Sequence, residues 1–146
     1  IAFNRDEVRM PMPWDASPQA GFTTGEPWLP LNRDWRTRNV ATQAADPASM
    51  LALHRDLLGL RRRHAALAIG SIALLAVEGD VLAYERVHDG ERIVVALNFG
   101  ATDQHVTLPE GELLLSCLDP DAPEAGAGGE MTLAPDEAVI LRVAAA

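Results

Sequence analysis

From Gly70 onward the apolar residues fall in short bursts. SIALLAVEG (71–79), VLAYERVH (81–88) and ERIVVALNF (91–99) are rich in β-branched and aliphatic side chains, and Gln104–Leu108, Glu112–Leu118, Glu130–Leu133 and Ala138–Val143 repeat the pattern. Short apolar runs bounded by Gly, Pro, Asn and Asp predict strands. The turn signals between them are Asp89-Gly90, Asn98-Phe99-Gly100, Pro109-Glu110-Gly111, Asp119–Gly129 and Pro135-Asp136. Asp-Gly between two strand-like runs is the favoured two-residue hairpin signal, because both positions of that turn need positive φ. Seven short strands with frequent turns predict a mainly β fold, an antiparallel β-sandwich. The Pro-, Ala- and Gly-rich stretch Pro120–Gly129 predicts a mobile surface loop.

Ahead of the strands the period changes. Residues 46–64, DPASMLALHRDLLGLRRRH, predict a helix, with Asp46 as N-cap and Pro47 at the first helical position, where its missing N–H is not wanted. Met50, Leu53, Leu57, Leu58 and Leu60 recur near helical spacing and give one apolar face. Arg61, Arg62 and Arg63 suit the negative end of the helix dipole. That apolar face requires a partner surface.

Residues 1–45 keep neither period. Arg5–Trp35 holds five of the ten prolines and Trp14, Phe22, Trp28 and Trp35, with Phe3 just before it. Proline removes backbone donors and fixes φ, so this is neither a regular helix nor a central strand. Its tryptophan content sets it apart from a solvated linker, since disordered segments are poor in aromatics. A long ordered loop of this kind is where function concentrates.

Composition narrows the options. With 48% hydrophobic and 23% charged residues, the 146-residue chain is ordinary for a globular protein and long enough for one domain or one domain plus part of another. Cys117 is its one cysteine, which excludes an internal disulfide and a thiolate metal cluster. No apolar run is long enough to span a membrane. Ile1 reads as an internal start. Net charge is −9, unevenly placed: residues 1–70 carry nine Arg against seven Asp and Glu, residues 71–146 three Arg against fourteen. A lysine-free, acidic chain with dispersed arginines has no cluster of cations for phosphate backbones, so nucleic acid is not an expected partner.

Candidate chemistry concentrates near the aromatic block. Asp6, Glu7 and Asp15 are carboxylates of the type glycosidases use in facing pairs, but surface solvation, or pairing with Arg5 and Arg9, is the favoured account of them. His54, His64, His88 and His105 lack metal-ligand spacing. Ser17, Ser49, Ser71 and Ser116 lack a nucleophile-elbow context, and Cys117 reads as a small core residue. No glycine-rich phosphate cradle is present. No catalytic residue, metal or cofactor is therefore expected within the chain. Aromatic faces with arginine forks are what sugar sites use, while Trp14, Trp28 and Trp35 also serve to anchor an irregular segment. Arg9, inside an apolar proline-rich run, needs a partner carboxylate or ligand.

These residues resemble a known family. Asn4-Arg5-Asp6, Arg9-Met10-Pro11-Met12-Pro13-Trp14-Asp15, Ala20-Gly21-Phe22, Pro27-Trp28-Leu29-Pro30 and Asn39-Val40 are similar, in this order, to the late part of bacterial α-glucosidases. These are the oligo-1,6-glucosidase and maltase-like members of glycoside hydrolase family 13, the α-amylase family. Met10 and Pro13 depart from the threonine and glutamine usual there. Leu60-Arg61 matches the L-R pair of the closing barrel helix, and Leu82-Ala83-Tyr84 with Val95–Phe99 resembles the C-terminal β-sandwich called domain C.

The resemblance implies that residues 1–69 are the C-terminal end of a (β/α)8 catalytic barrel, the loop after its last strand plus the closing helix 46–64, and that residues 70–146 are the β-sandwich domain. It implies a retaining α-glucosidase acting on terminal α-linked glucose of short oligosaccharides, cytoplasmic, with the rest of the barrel as partner. The family's nucleophilic aspartate, acid/base glutamate and third aspartate have no counterpart here, so the chain alone is expected to be inactive. Arg9 would bind substrate, holding the non-reducing glucose in the −1 pocket. Two alternatives stay open: a non-catalytic carbohydrate-binding or interaction module, and a relative with trehalose synthase or sucrose-acting specificity.

Overall fold

The computed structural model describes residues 6–119 and 127–144. Arg5 and most of the Pro120–Gly129 loop lie outside the described residues. The chain divides into two compact units, residues 1–54 and 55–146.

The first unit contains no strand among its described residues. Two short 3-10 turns, Asp6–Val8 and Pro18–Gly21, precede helix α1 (Val40–Ala44). Prolines deny this segment a ladder, so its backbone groups pair across the loop instead. Trp14 N and Asp15 N both donate to Ala20 O, at 2.9 and 3.3 Å, while Pro13 O and Trp14 O accept from Val40 N and Ala41 N, each at 2.9 Å. The Pro13–Trp14 backbone is thus held from two sides. Asn39, only 1% exposed, caps α1: its Oδ1 accepts from Thr42 N at 2.9 Å and its Nδ2 donates to Trp35 O at 3.0 Å.

Helix α2 (Met50–Arg63) begins one turn later than the expected 46–64. Asp46 Oδ1 accepts from Ala48 N at 2.9 Å, which bends the chain into a turn around Pro47. Ser49 then does the capping, its Oγ accepting from Ala52 N at 3.1 Å, and Gln43 Oε1 takes Leu51 N at 3.1 Å. Of the apolar stripe, Leu60 is buried and Leu57 partly so, while Met50 and Leu58 stay exposed. A second short helix, α3 (Ala65–Ile69), follows directly and was not expected.

The second unit carries six strands: β1 (Ser71–Leu74), β2 (Val81–His88), β3 (Glu91–Asn98), β4 (Gln104–Ser116), β5 (Ala127–Leu133) and β6 (Ala138–Val143). They form an antiparallel sheet in the order β1-β2-β3-β6-β4-β5. Asp89-Gly90 makes the β2–β3 hairpin with φ of 46° and 83°. Gln104–Leu108 and Glu112–Leu118, expected as two strands, are largely one: Pro109-Glu110-Gly111 is not a turn but a shift of register within β4. Before the shift β4 pairs with β5, and after it with β6. Gly111 permits the crossing, because any side chain there would run into the Arg142 carbonyl.

The sheet folds over at this point into a β-sandwich. Val106 and Leu108 of β4 and Leu133 of β5 share one core with Val94 and Ala96 of β3 and Val139 and Leu141 of β6. On the opposite face of β3 and β6, Ile93, Val95 and Ile140 pack with Leu60 and Ala66 of the helices. Covered on both faces, Ile93 to Ala96 run apolar without alternation. Among the described residues, no helix is long and apolar enough to cross a membrane.

Candidate functional site

Arg9 follows the Asp6–Val8 turn. The turn closes with Arg9 N donating to Asp6 O at 3.0 Å, and the guanidinium reaches back to Asp6 Oδ1 at 2.7 Å. The partner carboxylate that Arg9 requires is therefore present three residues earlier. Both side chains face solvent in large part, at 55% and 38% exposure, so the pair adds little to stability.

Asp15 takes a different partner from the one its sequence suggested. Its Oδ1 accepts from Ser17 N at 2.8 Å and from Ser17 Oγ, rather than from an arginine. The Ser17 hydroxyl, with the Ser17 amide second, holds the carboxyl below its ordinary value. Asp15 is thereby kept ionised, the wrong state for a general acid near neutrality. The carboxylate also lies over Gly21, where a Cβ would meet it at 2.7 Å. Gln19, Ala20 and Gly21 all have positive φ (56°, 57° and 65°), and this left-handed turn aims the Ala20 carbonyl at Trp14 and Asp15.

The tryptophans divide. Trp35 is an anchor, 9% exposed, with the Arg36 guanidinium 4.2 Å from its ring centre. Trp14 and Trp28 are 51% and 83% exposed, and Phe22 is also exposed, so these rings are surface features of the described chain. Leu29, next to Trp28, is buried and fastens the Pro27–Pro30 segment.

The remaining candidates have structural employment. His64 Nδ1 lies 2.6 Å from Glu91 Oε1, and Glu91 Oε2 accepts from Ala66 N at 3.3 Å, so one carboxylate ties the α2–α3 junction to the start of β3. The His64 hydrogen bond is the main reason Glu91 is held below its ordinary value, with burial opposing. His54 meets Met50 O, His88 lies beside Asp89, and His105 pairs with Thr132. Ser49 caps α2, Ser71 donates to Val87 O and Ser116 to Glu137. Cys117 Sγ accepts from Ala138 N at 3.1 Å. No group of three His, Cys, Asp or Glu among the described residues is placed to hold a metal ion. Sequence reasoning missed the His64–Glu91 link, whose members are 27 residues apart and carry no local signal.

Two family models match the chain in succession: the α-amylase catalytic domain over residues 2–70, and a domain of unknown function, DUF3459, over residues 70–140. The oligo-1,6-glucosidase of Halalkalibacterium halodurans is 37% identical over 144 residues, which is 94% of this chain and 25% of that enzyme. The chain belongs to glycoside hydrolase family 13, the α-amylase family. It corresponds to the C-terminal part of that family's α-glucosidase-type members. The trehalose-6-phosphate hydrolase of Bacillus subtilis is 31% identical over 97% of this chain and 26% of its own length. Trehalulose synthase MutB from Pseudomonas mesoacidophila MX-45 superposes with a TM-score of 0.84 at 38% identity, over 95% of this chain and 26% of its own. The chain thus spans about a quarter of the length of the relatives it matches. Three names with three reactions accompany one fold, so membership of the α-amylase family sets the architecture and not the reaction.

Proposed function

We propose that this chain is the C-terminal portion of a retaining α-glucosidase that hydrolyses or transfers terminal α-linked glucose of short oligosaccharides through a covalent glucosyl intermediate. The observation that carries the reading is the 37% identity to an oligo-1,6-glucosidase along nearly the whole chain. In the complete enzyme residues 1–69 would finish the catalytic barrel and residues 70–146 would form the domain beside it. The reacting carboxylates would come from the rest of the barrel, since the resemblance leaves the family's nucleophilic aspartate, acid/base glutamate and third aspartate without a counterpart in this chain. Arg9 would contribute a charge-assisted hydrogen bond to a sugar hydroxyl from its exposed side. The complete enzyme would be cytoplasmic.

The test uses the complete enzyme with maltose, isomaltose and sucrose, following the anomer released by proton NMR. α-Glucose released first supports a retaining α-glucosidase; β-glucose released first, or no turnover of any α-glucoside, overturns it. Arg9→Ala in that enzyme should lower kcat/KM by roughly tenfold or more, in line with the loss of a hydrogen bond from a charged group. Near-normal kinetics would remove Arg9 from the site. Calorimetry of this chain alone with maltose and isomaltose should give no saturable heat, and clear binding would favour a carbohydrate-binding module instead.

A further inference from the structure

A groove of about 320 Å³ opens in the second unit between the end of α2 and strands β4 and β6. Leu60 and Leu114 supply apolar walls, Arg63, Arg142, His64 and Glu112 the polar ones, and Leu113, whose side chain packs toward the sandwich core, borders the groove between Glu112 and Leu114. Leu114 is where β4 skips register against β6: Leu113 pairs with Leu141 but Leu115 with Ile140. Such a bulge re-aims the extra side chain, here beside the helices rather than into the sandwich core.

The charges in the groove run against their surroundings. Residues 71–146 hold only three arginines among fourteen carboxylates, yet one of the three, Arg142, comes into the groove with Arg63. Arg63 folds back over Gly59, where a Cβ would stand 3.1 Å from its Nη1, and among the described residues its guanidinium has no hydrogen-bond acceptor. Arg142 is paired with Glu112, and His64 Nδ1 is taken by Glu91. Glu112 and the carbonyl end of α2 oppose an anion; the unengaged fork of Arg63 favours one.

We propose that this groove binds a small carboxylate carried on an apolar body, with the carboxylate on Arg63 and Arg142 and the body against Leu60 and Leu114. A guanidinium accepts a carboxylate in two parallel hydrogen bonds, and Arg142 has donors enough to serve Glu112 and a ligand together. The volume lies at the lower end of small-molecule pockets, which suits a one-ring or short-chain acid.

Benzoate, benzamide and acetate titrated into the full chain, followed by amide NMR shifts and thermal melting, test the proposal. Benzoate should shift the Arg63, His64 and Leu114 amides saturably, and at equal concentration benzamide and acetate should not, since each lacks one half of the match. Arg63→Ala should weaken benzoate about tenfold or more, with Arg63→Lys between the two. Glu112→Gln should tighten it by removing the competing carboxylate, a gain that damage to the fold would not produce. Equal shifts with benzamide, shifts spread away from the groove, or indifference to Arg63→Ala overturn the proposal.

Discussion

Asp15 and Glu91 show how far a carboxylate's neighbours can be anticipated. Both are lowered, Asp15 by a serine two residues away and Glu91 by a histidine 27 residues back in the chain. The first partnership has a local signature, an Asx turn, while the second exists only because the α2–α3 junction is brought to the start of β3. Arg9 was legible as a residue in need of a counter-charge, and Asp6 supplies it; whether that pair also meets a sugar depends on residues no single passage contains. Glu91 carries a prediction at this scale. A carboxylate lowered in the folded state stabilises the fold above its unfolded value, roughly 4.3, and that contribution is lost as pH falls through the lower folded value. Wild-type melting temperature should therefore fall below about pH 4 more steeply than that of Glu91→Gln. Parallel pH profiles for the two proteins would show that the His64–Glu91 link contributes nothing.

At the level of elements, the strands were readable because each had its own cue. Asp89-Gly90 announced a hairpin, and the β-branched run of ERIVVALNF announced a strand. The division of β4 into two strands failed for an instructive reason: Pro109-Glu110-Gly111 has turn composition, but two different neighbours are available to hold the chain extended through it. Composition describes what the backbone tolerates, and pairing decides what it does. The late start of α2 has the same origin, since Asp46 and Ser49 are both good caps and the Gln43 side chain settles the choice in favour of Ser49. Gly111 is the residue on which β4 turns from β5 to β6. Replacing it with alanine drives a methyl group into the Arg142 carbonyl, and denaturant unfolding should show a loss of about 1–3 kcal/mol. Gly25, with nothing within 4 Å of its would-be Cβ, provides the control that should change little.

The whole molecule is uneven in how it is held. Among its described residues the first unit relies on caps and loop-crossing hydrogen bonds around six buried residues, Pro11, Ala20, Leu29, Trp35, Asn39 and Ser49, whereas the second has a sandwich core and a helix-covered face. Opening should therefore be far easier in the first. Hydrogen exchange on the full chain should find the slowest amides in β3 and β6, with Arg9–Trp35 faster by roughly a hundredfold or more. The reverse ranking would mean that the aromatic segment, not the sandwich, is the stable nucleus. The relatives' names extend this picture only so far: a trehalulose synthase and an oligo-1,6-glucosidase share this fold, so the fold does not fix linkage.

The order of the strands bears on how the chain is made. β6 lies between β3 and β4, so the central seam of the sheet is formed by the last of the six strands to be synthesised. While a ribosome is still extending the chain, the β2–β3 hairpin and the β4–β5 ribbon have both emerged with an apolar edge exposed and no partner to join them. Until Ala138–Val143 is available to pair with both, those edges are the kind of unpaired strand surface that invites association between chains.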